Sequence, residues 1–195
     1  MEAAATDRLY RTFGDARLEE IFGVEHTWAL DPEERSWPYP RQTRELDLLP
    51  FLKGHPTRRY VTLSASLEHG HFYERHTGRH LELAGVLLRL VPGPPNSLAR
   101  LVNAAIPLAE VPHPWIGQGV LLGVPDHYTE AIARAAGALL PVLFTHALLG
   151  VEVQIIHGFY HPSCSPEHAF HKAAGDTLRH LATQIARERL LWAFR

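Results

Sequence analysis

The 195-residue chain holds one cysteine, one methionine and a formal charge of only −2, and each shortage excludes something. Cys164 alone can form neither an internal disulfide framework nor a four-cysteine zinc site. With 19 basic and 21 acidic side chains there is no electrostatic reason to expect nucleic acid or an anionic membrane as the main partner. No apolar run reaches the roughly 18 residues of a membrane helix. Even Ala135 to Leu149 is broken by Gly137, Pro141 and His146. The opening MEAAATDRLYRTFGDARLEE has no basic-then-apolar signal pattern, so the cytoplasm is the expected compartment. Motif grammar is equally sparse. There is no HExxH, CxxC or GxSxG, and Gly93-Pro-Pro and Gly117-Gln-Gly119 lack the further glycine of a phosphate-binding loop.

What is present suits a folded domain. An apolar content of 46% excludes disorder, and the length suits one domain over residues 1–195 that needs no staples. Leu9, Tyr10, Phe13, Leu18, Ile21 and Phe22 recur at helical spacing and predict an N-terminal amphipathic helix. Val24 to Gln42, with Trp28, Trp37 and Tyr39, reads as an ordered covering loop. Glu45–Phe51 and Arg59–Leu67 read as strands, the second with Val61, Leu63, Ala65 and Leu67 alternating against Thr62, Ser64 and Ser66. A polar loop of about a dozen residues, His69 to His80, is expected to join it to a buried strand in LELAGVLLRLV. Further expectations are a helix over Leu98–Ala105 capped by Ser97, a short strand Val120–Val124, and a helix Asp126–Ala136. Strands Leu139–Thr145 and Val151–Phe159 follow, then a long helix from Pro166 to about Trp192, capped by Ser165 and bent at Gly175. This order predicts an α+β fold: a mixed, largely antiparallel sheet flanked by an N-terminal and a long C-terminal helix.

The 14 histidines are where chemistry would start. His69 and His71, two apart on an extended segment, could offer zinc two ligands from one face. Interleaved arginines argue for ordinary polar residues instead. A second set, His157, His161, His168 and His171, could build a metal or acid–base site, the last two sharing a helix face. That is the alternative reading, a histidine-dependent metal protein or hydrolase. Cys164, Ser163 and Ser165 beside these imidazoles lack the flanks of a known nucleophile. A small-molecule pocket lined by Trp115 and histidines is a third reading.

The order of segments from about Leu18 to Leu181 resembles the suppressor-of-fused domain in its short bacterial form. A helix ending in Phe22-Gly23 leads through a Trp-containing loop to the strand Glu45–Phe51. Arg59-Tyr-Val-Thr-Leu-Ser-Ala-Ser66 is similar to the family's strand ending in Thr-x-Gly-x-Ser, with Ser64 in the place of glycine. Leu81 to Leu90 resembles its Glu-Leu strand, Ser97 to Ala104 its next helix, and Trp115-Ile-Gly-Gln-Gly119 its Gly-His turn, where Gln118-Gly119 replaces Gly-His. Val151–Tyr160, Pro166 to Phe170 and Gly175-Asp-Thr-Leu178 resemble the last strand and helix, with His168 where a second glutamate is common. The resemblance implies a non-enzymatic protein-binding module without a cofactor. The animal relative sequesters transcription factors by strand addition, and bacterial members are suspected immunity proteins that neutralise toxins. It directs attention to Trp28, Trp37, Tyr39, Tyr60, Thr62, Ser64, Ser66, His69 and His71 as partner-binding residues, and to another protein, a toxin or regulator, as the partner.

Overall fold

The computed structural model describes residues 41–52, 61–77, 80–93, 97, 99–107, 120–143 and 150–193. The N-terminal helix and the aromatic loop expected before residue 41 lie outside them. Eight strands are described: β1 (Arg41–Asp47), β2 (Val61–Leu63), β3 (Leu67–Thr77), β4 (His80–Pro92), β5 (Arg100–Pro107), β6 (Leu121–Leu122), β7 (Val151–Tyr160) and β8 (Leu191–Ala193). The two α-helices are α1 (Thr129–Leu143) and α2 (Glu167–Glu188). One six-stranded sheet runs β1-β5-β7-β4-β3 with β6 on β7, and β2 and β8 form a separate ribbon. Only β5 and β7 pair in parallel; the remaining pairs are antiparallel. The fold is therefore α+β with a mixed, largely antiparallel sheet and a long C-terminal helix.

The core lies between the sheet and the helices. Leu88, Leu90, Leu101, Val153 and Ile155 from the strands meet Ile132, Leu140, Phe170, Leu178 and Leu181 from the helices. Alternate strand positions, among them Phe72, Leu87, Val102 and Phe159, are buried on the other face. Burial on both faces is why the central strands read as continuous apolar runs.

Several expected elements are different in the structure. The strand expected over Glu45–Phe51 ends at Asp47 and Leu49–Phe51 is a 3-10 turn, while the one expected over Arg59–Leu67 divides, β2 ending at Leu63 and β3 starting at Leu67. The helix expected over Leu98–Ala105 is replaced among the described residues by a strand, Arg100–Pro107, between β1 and β7. Its Leu101, Val102, Ala105 and Ile106 fit a three-to-four spacing and a doubly buried strand equally well. Leu139 to Leu143 is the end of α1 and not a strand. No dozen-residue loop separates the strands at residues 68–80, because β3 pairs with β4 continuously from Leu67↔Leu90 to Thr77↔His80. Histidines counted as loop residues occupy the face that an apolar residue would have marked.

The last helix also ends early. Arg189 adopts a left-handed conformation (φ 55°), its N–H closes on the Ile185 carbonyl, and Leu191–Ala193 leaves as β8. Trp192 is therefore in a strand, opposite Thr62. Ser165 is not the cap of α2. Its hydroxyl donates to the Leu83 carbonyl (2.5 Å) and accepts the His161 N–H (2.8 Å), which ties the turn after β7 to β4.

Candidate functional site

On β3 the alternation places His69, His71 and Tyr73 on the face that packs against α2, whose residues His168, Asp176 and His180 recur at helical spacing along the contact. The result is a polar seam at the rim of the core. His69 and His180 stack with ring centroids 3.6 Å apart and planes 6° from parallel. The His71 Nε2 lies 3.8 Å from an Asp176 carboxylate oxygen, and Asp176 is also paired with Arg179. Near the start of α2, the His168 Nε2 is 2.8 Å from Glu82 Oε2, to which the Tyr73 hydroxyl donates at 3.4 Å.

Electrostatics follow from this placement. Burial, and then the neighbouring His180 and His71, push the His69 pKa down to about 4. Burial also lowers His71, opposed by Asp176 and reinforced by His180. The hydrogen bond from His168 holds the Glu82 carboxyl below its ordinary range, with burial opposing and Arg75 and Tyr73 assisting. A stacked pair is poorly shaped for coordination. The nitrogen lone pairs lie in the ring planes, and two parallel planes share no point at which one ion could sit.

The second histidine set does not assemble. His157 pairs opposite Leu87, on the sheet face turned away from α2, and its Nδ1 accepts the Gly158 N–H at 2.8 Å. His161 sits in the turn after β7 and its Nδ1 accepts the Ser163 N–H at 3.1 Å. His168 is engaged with Glu82, while His171 lies one turn further along α2. Among the described residues no three His, Cys, Asp or Glu side chains are grouped so as to hold a metal ion. Cys164 is fixed through its main chain, which accepts from the Leu83 N–H (2.8 Å) and donates to the His161 carbonyl (3.1 Å). With its hydroxyl proton given to Leu83, Ser165 is placed as a tie and not as a nucleophile.

Of the expected partner-binding residues, Trp28, Trp37, Tyr39 and Tyr60 lie outside the described residues. Thr62 is buried in the β2–β8 ribbon and donates to the Gly150 carbonyl at 3.1 Å. Ser64 is exposed but donates twice to the Leu190 carbonyl, while Ser66 is exposed just before β3. His69 and His71 belong to the seam. The described ones are thus divided between the β2–β8 ribbon, the bend after it and the seam.

A different feature stands at the margin of the sheet. Among the described residues, β1 is an edge strand paired only with β5. The Leu48 N–H donates to the Ala99 carbonyl at 3.0 Å, and antiparallel hydrogen bonding alternates along a strand. Leu46 and Arg44 therefore turn their main chain toward β5, whereas Glu45 and Asp47 turn theirs outward. On the helix side Arg44 reaches Asp126 (3.0 Å) and Glu130 (3.4 Å). On the other side Arg100 lies 3.5 Å from Glu45 and is paired with Glu152, which the Gln154 amide also contacts at 2.6 Å. The charged run Arg-Gln-Thr-Arg-Glu-Leu-Asp is of the kind that guards a sheet margin, but by itself it does not place the strand there.

The chain matches no protein-family model and no curated protein. No enzyme family is indicated. Among solved structures it is similar to a protein from Thermus thermophilus, at 20% identity and a TM-score of 0.44, over 63% of this chain and 16% of that one. The matched region is thus a small part of the Thermus protein's length.

Proposed function

We propose that this protein is a non-enzymatic binding module of suppressor-of-fused type, an immunity or regulatory factor that holds a partner protein by adding an extended segment of it to β1. The observation that carries the reading is the β1 edge, unpaired on its outer side among the described residues, where the main-chain donors and acceptors of Glu45 and Asp47 point away from β5. An incoming strand gains main-chain hydrogen bonds from such an edge, and the alternate side chains set its specificity. The dispersal of the histidines over both faces of the sheet gives the metal-dependent alternative no comparable support.

The test is selection of a displayed peptide library against the immobilised protein. Enriched peptides are expected to bind through β1 and to lose at least about tenfold in affinity in Glu45→Pro, which deletes one outward N–H and leaves the β1–β5 ladder intact. Peptides whose binding is indifferent to that substitution would overturn the assignment of the edge. Elemental analysis addresses the alternative: about one zinc, nickel or iron per chain, lost when His168 and His171 become alanine, would replace the binding-module reading with a metal site.

A further inference from the structure

We infer that the segment received by β1 is basic, an extended stretch of another protein with Lys or Arg at alternate positions. This rests on the edge-strand reading above and names the chemistry of its occupant. Among the described residues, carboxylates exceed guanidinium groups on the face of the strand turned away from the helices. On one side Glu45 and Asp47, two apart and so on the same face, adjoin Glu152, with Arg100 the one guanidinium group among them in the described residues. On the other side Arg44 stands between Asp126 and Glu130, and Arg134 also lies 3.8 Å from Glu130, so the charges there balance. Arg41 at the head of the strand is the one further cation in it. This excess is local, since the whole chain carries only −2.

The geometry sets the spacing of the occupant. Directly opposed side chains of paired strands lie about 5 Å apart, and opposite charges there stabilise while like charges destabilise. The residues that will sit opposite Glu45 and Asp47 are themselves two apart, so a Lys-x-Lys or Arg-x-Arg pattern meets both carboxylates at once. A second copy of this chain fits less well. Pairing β1 with β1 in the registers centred on residues 45 or 46 sets Glu45 against Glu45 or against Asp47.

Three synthetic peptides of equal length discriminate these points: alternating lysine and valine, alternating glutamate and valine, and the lysine–valine composition with all lysines at one end. Amide shifts and exchange protection of residues 41–47 are followed by NMR at low and at physiological salt. The alternating lysine peptide is expected to protect the amides of Glu45 and Asp47, to bind about tenfold more tightly than the glutamate peptide, and to weaken as salt rises. In the Glu45→Lys/Asp47→Lys protein the preference is expected to invert. Equal protection of β1 by all three peptides would overturn the basic occupant while leaving strand addition in place. No protection by any of them would overturn both. Self-association that protects the same amides and disappears in Glu45→Pro would overturn the basic occupant in favour of a second copy.

Discussion

Single positions in this fold are decided by partners far away in the chain. Gly137 sits inside α1, where alanine would ordinarily stabilise by about 1 kcal/mol. Here a Cβ would run into the main chain of Phe51 in the 3-10 turn Leu49–Phe51, and backbone cannot swing aside. Gly137→Ala is therefore expected to destabilise, by about 2 kcal/mol, seen as a lower urea midpoint with an unchanged slope. Asn103 is similar in kind. It is fully buried in β5, with its amide nitrogen donating to the Val124 carbonyl (3.0 Å) and Thr129 Oγ1 (2.9 Å) and its oxygen accepting the Ala105 N–H (3.0 Å). Neither role could be read from neighbours in sequence. An isolated Gly in a helical run looks like a weak point, and an Asn in Leu-Val-Asn-Ala-Ala-Ile looks exposed, because Phe51 and Thr129 enter only through tertiary packing.

Elements were legible where β-branched content or a helix-start signal fixed the period and ambiguous where the spacing suited both periods or polar residues faced the helices. Val151–Tyr160 and the start of α2 follow from β-branched content and from Ser-Pro-Glu, even though Ser165 does something other than capping. The doubly buried β5 imitated a helix. The β3 strand hid as a loop because its α2-facing side carries His69, His71 and Tyr73. That seam makes the packing of α2 sensitive to acid. His69 is held near pKa 4 against an unfolded value of 6.5, so between those values the unfolded chain binds more protons than the folded one. Stability is therefore whole above about pH 6.5, falls as pH drops toward 4, and loses no more from this group below that. Because water reaches the seam, the loss is about 2 kcal/mol or less. His69→Phe keeps an aromatic ring against His180 and removes the titrating group. Its melting temperature is expected to fall less than that of the wild type between about pH 7 and pH 4, and an identical fall would show that the stacked pair is not the acid-sensitive contact.

For the molecule as a whole, the arrangement of layers separates the two tasks of packing and presentation. Both helices lie on one face of the sheet, His69, His71, His168 and His180 line the rim of that interface, and β1 stands at the far margin from β3. No helix among the described residues is long and apolar enough to cross a membrane. If β1 serves presentation, it should tolerate changes to its outward main chain. Glu45→Pro is expected to alter the unfolding free energy by no more than about 0.5 kcal/mol in denaturant titration. A loss of several times that would mean that Glu45 donates within the ladder. The class of fold could be inferred from segment order, but the sheet's margin could not, because which strand lies outermost depends on the parallel β5–β7 pairing across α1.

The ribbon of β2 and β8 has a temporal consequence. Among the described residues the strand partner of Val61–Leu63 is Leu191–Ala193, so during synthesis the whole stretch between them must leave the ribosome before that clasp can shut. Until then Val61–Leu63 is left waiting, a window in which chaperones or a neighbouring nascent chain can reach it first.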